Sequence, residues 1–234
     1  MKFEEIYISG EYLGKNPTWH VEKSPWKAKQ IMKMVARNNI EPKTICEVGC
    51  GAGEILIQLQ QEMDAACIFW GYEISPQAFE LSRSRENEKL HFKLADILQE
   101  DVCFDLILMV DVIEHVEDCF SLLRNLKPKS EYKIIHFGLD LTVESLLRPN
   151  ALLGFRSTRG HIGHVHYFTK NIALAMLEDL GYEVLDYFYT PRPVMPTDSM
   201  KRKLLQLPRS LFFAIRKDLA VRVLGGYGLL VLVK

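Results

Sequence analysis

The chain has 234 residues, enough for one domain with a sizeable core. Its formal net charge is −1 and charged residues make up 25%, so the charge of the whole chain indicates neither nucleic acid nor an anionic membrane as a partner. No apolar run reaches the roughly 18 to 20 residues of a membrane span, and the N-terminus lacks an apolar signal segment. The five cysteines form no C-x-x-C pair, which favours free thiols. We therefore expect a cytoplasmic protein.

The first 42 residues are predicted to form an N-terminal cap. Residues 1–23 are rich in aromatic side chains and show no regular period. Ser24 and Pro25 then supply an N-cap and a favoured first-turn residue, and the helix that they begin is predicted to run to about Asn38. Its apolar residues recur at helical spacing, at Ala28, Ile31, Met32 and Val35.

A glycine-rich turn follows the cap. The stretch Thr44–Leu56 reads T-I-C-E-V-G-C-G-A-G-E-I-L, with glycines at alternate positions 49, 51 and 53. A short apolar run before the glycines and an apolar-periodic segment after them predict a strand, a tight turn and a helix. Glycine suits such a turn because the backbone visits positive φ and because a ligand can approach it closely. The arrangement predicts a site for a nucleotide-like cofactor.

The glycine spacing distinguishes between two cofactor classes. A dinucleotide fingerprint, G-x-G-x-x-G, would place its third glycine at the position of Glu54. Glu47, two residues before the first glycine, would also repel a pyrophosphate at the helix N-terminus. The same carboxylate would attract a cation, and S-adenosylmethionine carries a sulfonium and an ammonium group. The pattern therefore favours S-adenosylmethionine over NAD.

Three further strands are predicted, and each ends close to an acidic residue. They are Cys67–Glu73 with Glu73, Leu90–Leu94 with Asp96, and Phe104–Val110 with Asp111. Strands that alternate with helices form an open parallel sheet with helices on both faces. Because ligands bind such sheets beyond the carboxyl ends of the strands, these acids are expected to converge with Glu47.

These motifs resemble those of the class I S-adenosylmethionine-dependent methyltransferases, over about Lys43 to Leu139. The resemblance implies an α/β fold with a doubly wound, seven-stranded, mostly parallel sheet whose last strand is antiparallel. The segment D-V-I-E-H-V-E-D, residues 111–118, looks like the post-strand motif of the ubiquinone-type O-methyltransferases. The cofactor residues that the resemblance implies are Glu47, Gly49, Gly51 and Gly53 in the turn, Glu73 and Ile74 at the ribose, Asp96 and Ile97 at the adenine, and Asp111.

The second half of the chain is predicted to complete the sheet and to supply a lid. A helix over Glu117–Leu126 and a strand over Tyr132–Phe137 precede an irregular region, Gly138–Tyr167, which includes R-G-H-I-G-H-V-H-Y-F. Loops of this length inside a domain are usually functional or disordered, and we interpret this one as a substrate lid. A helix capped by Thr169 and a strand over Tyr182–Tyr189 follow.

The C-terminal region combines prolines with a basic segment. Four prolines between Thr190 and Arg209 predict a crossover rather than a second core. Residues 201–222 carry seven Lys or Arg and one Asp, either as a solvated face or as a surface for phosphates or an anionic membrane. Leu229–Val233 is the predicted antiparallel last strand. The whole chain is predicted to form one domain, with a cap (1–42), a cofactor-binding core (43–139), a substrate lid (140–167) and a C-terminal part (168–234) that contains a helical insertion at about 198–222.

Methyl transfer from a sulfonium requires an acceptor lone pair in line, and a hydroxyl acceptor also needs a base or a metal ion. Histidine is a natural base at neutral pH. We predict His115 and His166 as catalytic residues facing the acceptor, although loop histidines are more often structural. The residues predicted to contact the substrate are Trp19, His20, Trp26, His161, His164 and Tyr167; the aromatic ones could equally serve only to anchor the cap.

A divalent metal is a possible but less favoured addition. Asp111, Glu114 and His115 have the spacing D-x-x-E-H. Some relatives, the ubiquinone-type O-methyltransferases and the small-RNA 2′-O-methyltransferases, use E-x-x-E-H plus another histidine for a divalent ion. Such ligands would suit magnesium or manganese. In the alternative, Asp111 lines the cofactor pocket while the other two residues cap the next helix.

The sequence thus predicts an enzyme that transfers a methyl group from S-adenosylmethionine to a small-molecule acceptor, at a hydroxyl oxygen in the first instance. One alternative is an RNA methyltransferase that uses the basic 201–222 surface, although near-zero net charge argues against a nucleic-acid partner. Others are a cofactor-binding partner protein without turnover and an NAD oxidoreductase. The sequence does not indicate the oligomeric state.

Overall fold

The computed structural model describes residues 5–147, 154–155, 163–194 and 200–234, and its central feature is a seven-stranded β-sheet. The strand order is β3-β2-β1-β4-β5-β7-β6, and only β7 runs antiparallel to its neighbours. The strands are β1 Thr44–Val48, β2 Ile68–Glu73, β3 Leu90–Leu94, β4 Phe104–Val110, β5 Ser130–Gly138, β6 Val184–Pro191 and β7 Tyr227–Val233. The predicted doubly wound sheet with an antiparallel last strand is confirmed.

Helices cover both faces of this sheet. Two short helices open the described chain, and longer ones connect the strands. They are α1 Glu5–Ile8, α2 Glu11–Lys15, α3 Ser24–Arg37, α4 Glu54–Glu62, α5 Pro76–Arg83, α6 Cys119–Leu126, α7 Val143–Leu147, α8 Lys170–Asp179, α9 Met200–Ile215 and α10 Lys217–Leu224. Within the described residues, no helix combines the length and the apolarity needed to cross a bilayer.

Alternation along the strands divides the core into two layers. In β4, Leu106 and Leu108 face the layer that contains α3 and α4, whereas Ile107 and Met109 face the layer that contains α6 and α8. All four side chains are fully buried. A central strand buried on both faces reads as a continuous apolar run, as F-D-L-I-L-M-V does here.

Local start signals define two of the helices as expected. Ser75 caps α5 by accepting a hydrogen bond from the Ala78 amide, with Pro76 in the first turn. Thr169 caps α8 through the Ile172 amide. The predicted N-cap of α3 was wrong, because Ser24 is already the first helical residue and Lys23 precedes it without a side-chain cap. Helix α9 begins at Met200, contains Pro208 and lies where a helical insertion is predicted. Proline removes one helical hydrogen bond, but a helix that packs against the domain can absorb this loss.

The strand order places the functional end of the sheet. Sequential strands build outward from β1 to β3 and then restart at β4 on the other side of β1, so the order reverses between β1 and β4. Such a switch point leaves a crevice beyond the carboxyl ends of the two strands. Glu47 is the penultimate residue of β1, and Asp111 directly follows β4.

Replacing Gly53 by alanine should destabilise the fold. Gly53 has φ +75°, and an added Cβ would lie 2.4 Å from Cζ of the buried Phe92. We expect the free energy of unfolding to fall by about 2–4 kcal/mol, from left-handed strain and overpacking together. Denaturant unfolding measures this change.

The matched control for this change is Gly14→Ala. Gly14 lies in α2, and an added Cβ would meet no atom within 4 Å. Its replacement should leave stability unchanged or slightly raise it. Equal effects of the two substitutions would contradict the packing role given to Gly53.

Candidate active site

A large cavity lies beyond the carboxyl ends of β1 and β4, with a volume of ≈ 1480 Å³. A drug-sized ligand usually fills about 300–1,000 Å³, so this cavity has room for more than one ligand. It is lined from three sides, by the N-terminal cap, the strand ends and α9. The predicted site residues that line it are Trp19, His20, Trp26, Glu47, Gly49, Gly51, Asp111, His115, His164 and Tyr167.

The glycine turn has the predicted backbone conformation. Gly49, Gly51 and Gly53 have φ values of 66°, 56° and 75°. A Cβ at Gly51 would lie 2.5 Å from Cδ1 of Trp19, so the indole rests directly on the turn. Gly53 packs against the core instead, and it does not line the cavity. A Cβ at Gly49 would lie 2.9 Å from Cγ2 of Val112, so all three positions lack room for a side chain, each because of a different neighbour.

Glu47 is a buried acid with an unsatisfied oxygen at the inner end of the cavity. Its side chain is only 2% exposed, and Oε2 has no hydrogen-bond partner among the described residues. Burial raises its pKa to about 8, although nearby Lys27 opposes this shift. A buried acceptor without a partner is costly, and a cationic ligand would relieve the cost. This is the environment that the sequence predicted for a cationic cofactor.

Asp111 is held by two basic side chains. Lys27 Nζ lies 2.8 Å from Asp111 Oδ2, and His136 Nδ1 hydrogen-bonds to Oδ1. Burial alone would raise the pKa of Asp111, but Lys27 and His136 hold it well below its usual range. His136 Nε2 in turn lies 2.9 Å from the Thr190 hydroxyl. Helix α3 and strands β4, β5 and β6 therefore meet in one polar network.

Glu114, His115 and His164 form a second polar group, with ligand-type atoms within 4.8 Å of one another. Burial, together with the nearby charge of Asp111, raises the pKa of Glu114 to about 7. Burial also lowers the pKa of His115 to about 3, so this imidazole is neutral at physiological pH. His164 behaves oppositely: burial opposes ionisation, but Asp140, whose Oδ2 lies 3.2 Å away, raises its pKa.

The metal set suggested by D-x-x-E-H is not assembled. Both oxygens of Asp111 are engaged by Lys27 and His136, and His115 Nδ1 lies 2.7 Å from the Tyr7 hydroxyl. The remaining groups, the Glu114 carboxylate and the imidazoles of His115 and His164, are of chemical types that can hold a divalent ion. We assign no metal to them and interpret the group by the protonation states of its members.

The two acids predicted to bind ribose and adenine do not line the cavity. Glu73 is buried and accepts main-chain hydrogen bonds from Gly51 at 2.8 Å, Ile74 at 2.9 Å and Ser75 at 2.8 Å. Asp96 is exposed and caps the short 3-10 turn that begins at Ile97. In this geometry, Glu73 fixes the glycine turn, and a ribose would have to compete with main-chain amides for it.

Ile74 and Ile97 differ in burial, which their sequence positions did not indicate. Ile74 is an exposed side chain, whereas Ile97 is 1% exposed and belongs to the core. Neither residue lines the cavity.

The lid residues are divided between the cavity and the loop itself. The His166 ring uses Nε2 for the carbonyls of Val116 at 3.0 Å and Glu117 at 3.1 Å, and it does not line the cavity. The prediction that His166 faces the acceptor was therefore wrong, because its ring anchors the loop to the segment after β4. The Tyr167 hydroxyl donates to the Phe155 carbonyl at 2.9 Å. His161 lies outside the described residues.

Aromatic residues of the N-terminal cap cover the inner end of the cavity. Tyr12 packs between Tyr7 and Trp19, with ring centroids 4.9 and 4.8 Å away. Trp19 and His20 adopt left-handed backbone conformations, with φ of 48° and 60°. Trp26 approaches the His136 ring edge-on at 6.4 Å. These contacts agree with an anchoring role and also place the cap over the glycine turn.

Sequence reasoning missed several residues of the cavity. His136 and Thr190 come from β5 and β6, and the cationic residues Arg192, directly after β6, and Arg209, in α9, also line the cavity. His136 carried a usable signal, since it is a titratable residue near the carboxyl end of an otherwise apolar strand. The two arginines carried none, because only the tertiary fold brings them to the cavity.

A family model described as a methyltransferase domain matches residues 22–187 of the chain. The chain belongs to this methyltransferase family. The match covers the glycine turn, the segment after β4 and the lid, so the family predicted from the sequence is confirmed. The ubiquinone-type subgroup stays a prediction.

Known relatives agree at the level of the fold. Norajmaline N-methyltransferase from Rauvolfia serpentina is 28% identical over 94 residues, which cover 37% of this chain and 32% of that protein. The matched part thus spans about a third of the relative. The plantazolicin methyltransferase BpumL, solved with SAH, is 16% identical with a TM-score of 0.63, over 99% of this chain and 93% of that one. Magnesium protoporphyrin IX methyltransferase from Synechocystis, also with SAH, is 15% identical with a TM-score of 0.58, over 89% and 81%.

Binding of S-adenosylmethionine should release a proton from Glu47. The groups around this carboxyl are Lys27, Glu73 and Asp111, and burial raises its pKa to about 8, so at pH 7 the free protein holds it mainly protonated. A cation at this point would favour the ionised form, releasing about one proton per cofactor bound. Calorimetry in buffers with different ionisation enthalpies measures this number.

Glu47→Gln should abolish the proton release and weaken binding more at pH 9 than at pH 6. The control is Glu54→Gln, since Glu54 also borders the cavity but pairs with Arg85 at 2.6 Å. Undiminished proton release in Glu47→Gln would contradict the assignment.

Proposed function

We propose that this protein transfers the methyl group of S-adenosylmethionine to a small-molecule acceptor, with a hydroxyl oxygen as the acceptor atom. The observation that carries the proposal is the buried, unsatisfied carboxyl of Glu47 beside the glycine turn. When it ionises on binding a cation, this carboxyl supplies a negative charge where the family fold has its ligand crevice. The pyrophosphate of a dinucleotide would oppose that ionisation and gain no such contact.

The cofactor is proposed to lie along the glycine turn. Gly49 and Gly51 leave the backbone open to close approach, and Trp19 provides an aromatic surface above it. Glu47 would face the cationic part of the cofactor, while Glu73 would act on the ribose through the turn that it fixes. Two similar solved structures carry SAH, which supports this choice of cofactor.

Glu114 is the proposed general base. A base works best when its pKa is close to the working pH, and the pKa of Glu114 is raised to about 7. His115, with a pKa of about 3, is a much weaker base than the sequence suggested. In the proposed step the acceptor oxygen forms a bond to the methyl carbon as the carbon–sulfur bond breaks. The hydroxyl proton passes to Glu114, and the sulfonium becomes a neutral thioether.

Oxygen is chosen as the acceptor because of this base. An amine acceptor needs only to be neutral, whereas a hydroxyl must lose its proton. The similar proteins are named for magnesium protoporphyrin IX, plantazolicin and norajmaline, which supports a small-molecule acceptor without selecting the atom.

The proposal is tested by turnover. Purified protein is incubated with S-adenosylmethionine and a panel of phenols, carboxylic acids, sugars and amines, and SAH and methylated product are quantified. We expect product with at least one hydroxyl acceptor. Binding of the cofactor without turnover on any acceptor would support the alternative of a non-catalytic partner protein, and product formed only from amines would contradict the choice of oxygen.

Replacing Glu114 by glutamine should impair catalysis more than binding. The charged and titratable groups facing Glu114 are Asp111, His115, His136, His164 and Lys27. With the base removed, kcat should fall by about 10²-fold or more, while cofactor affinity stays unchanged. In the native protein, kcat/KM should rise with pH and level off above about 7, where the Glu114 carboxyl is ionised.

The control for this experiment is Glu117→Gln, an exposed carboxyl three residues away. It should leave both the rate and the pH profile unchanged. A Glu114→Gln variant that retains the native pH profile would assign the base to another residue.

A further inference from the structure

An apolar stripe runs along the outer side of helix α9. Its members recur at intervals of four and three residues, so they fall on one side of a helix with 3.6 residues per turn. They are between 66% and 77% exposed, which is unusual for side chains of this size. The stripe consists of Met200, Leu204, Leu207, Leu211 and Ile215.

The opposite side of the same helix packs on the domain. Phe213 stacks on Tyr227 with ring centroids 4.6 Å apart and meets the Tyr189 ring edge-on at 5.9 Å. Arg209, on this inner side, accepts a hydrogen bond from the Tyr227 hydroxyl at its carbonyl and borders the cavity. The helix therefore has its core-facing contacts already, and the stripe is a second apolar side.

The charges of this segment are all of one sign. From Met200 to Lys217 there is no acidic residue, and the six basic residues are Lys201, Arg202, Lys203, Arg209, Arg216 and Lys217. The chain as a whole has a formal net charge of −1, so positive charge is concentrated here. An exposed apolar stripe on a basic helix is typical of helices that lie in the interface of an anionic membrane.

Neighbouring helices extend the apolar surface. Helix α7 packs against α10 and exposes Leu146 and Leu147, which are 54% and 78% accessible. Leu219 of α10 is also exposed, at 48%. The apolar residues are thus not confined to α9.

We propose that the outer side of α9 binds the surface of a bilayer that contains anionic phospholipids. The apolar stripe enters the boundary between head groups and acyl chains, and the basic residues other than the inward-facing Arg209 contact the lipid phosphates. The inner side of α9 forms part of the cavity wall, so the membrane-bound protein holds its cavity close to the lipid. RNA would use the basic residues but not the leucines, and two copies meeting through this side would bring like charges together.

The test is co-sedimentation with vesicles, in the absence of cofactor and acceptor, so its result is independent of the proposed reaction. One set of vesicles contains phosphatidylcholine alone and another contains phosphatidylcholine with phosphatidylserine. We expect binding to the second set that weakens as salt increases. The variant Leu204→Gln/Leu207→Gln/Leu211→Gln should lose at least about tenfold in affinity, because its apolar contribution is removed.

The matched control is Ile172→Gln/Leu185→Gln, which removes exposed apolar side chains far along the chain from α9. It should bind vesicles as the native protein does. Circular dichroism and thermal unfolding check that the triple variant is folded, as expected for exposed positions. Absence of binding to phosphatidylserine vesicles, or undiminished binding by the folded triple variant, would overturn the proposal. A concentration-dependent dimer lost in the triple variant would assign the stripe to a second copy instead.

Discussion

One lysine among three carboxyls, two of them buried, sets the chemistry of the cavity. Lys27 pairs with Asp111 at 2.8 Å, and Glu47 and Glu114 also act on it, raising its pKa. Ion pairs taken out of water are tolerated only when each charge is matched, and here the carboxyls outnumber the lysine. Asp111 is satisfied by Lys27 and His136, whereas burial drives the pKa of Glu47 to about 8 and of Glu114 to about 7. At neutral pH these two carboxyls thus hold protons that a cation can replace.

The ion pair between Lys27 and Asp111 also stabilises a strained backbone conformation at Asp111. Asp111 has φ 56°, a left-handed conformation that costs a non-glycine residue roughly 1–2 kcal/mol. Its contacts to Lys27 and His136 stabilise this turn and aim the carboxylate into the cavity. Because Lys27 belongs to α3, the cap helix cannot shift without disturbing the end of β4. The cap and the core are therefore coupled electrostatically as well as by packing.

Features with a local cause could be predicted from the sequence. The positive φ at the glycine turn, the Thr169 cap and the buried strand β4 each follow from a few adjacent residues. The polar network of His136 could not be predicted in the same way, because it needs β5, β7 and β6 to lie side by side. A Cβ at Gly228 of β7 would come within 2.4 Å of His136 Nε2. Glu73 shows a different limit: its place at the end of β2 follows from the sequence, whereas the hydrogen bonds that it accepts from the Gly51 and Ser75 amides depend on the folded glycine turn.

Acidic and basic residues line different parts of the cavity, and this distribution bears on how two ligands would share it. Glu47 belongs to β1, and Asp111 and Glu114 follow β4, whereas Arg192 follows β6, the fourth strand from β1 in the sheet, and Arg209 belongs to α9. A cation is favoured beside the acids and disfavoured beside the arginines, so a cationic methyl donor has one preferred position. Transfer of the methyl group would remove the positive charge from that position, and the acids could then take up protons again. In this arrangement the pKa values of Glu47 and Glu114 depend on the charge of the ligand, which couples proton balance to occupancy of the site.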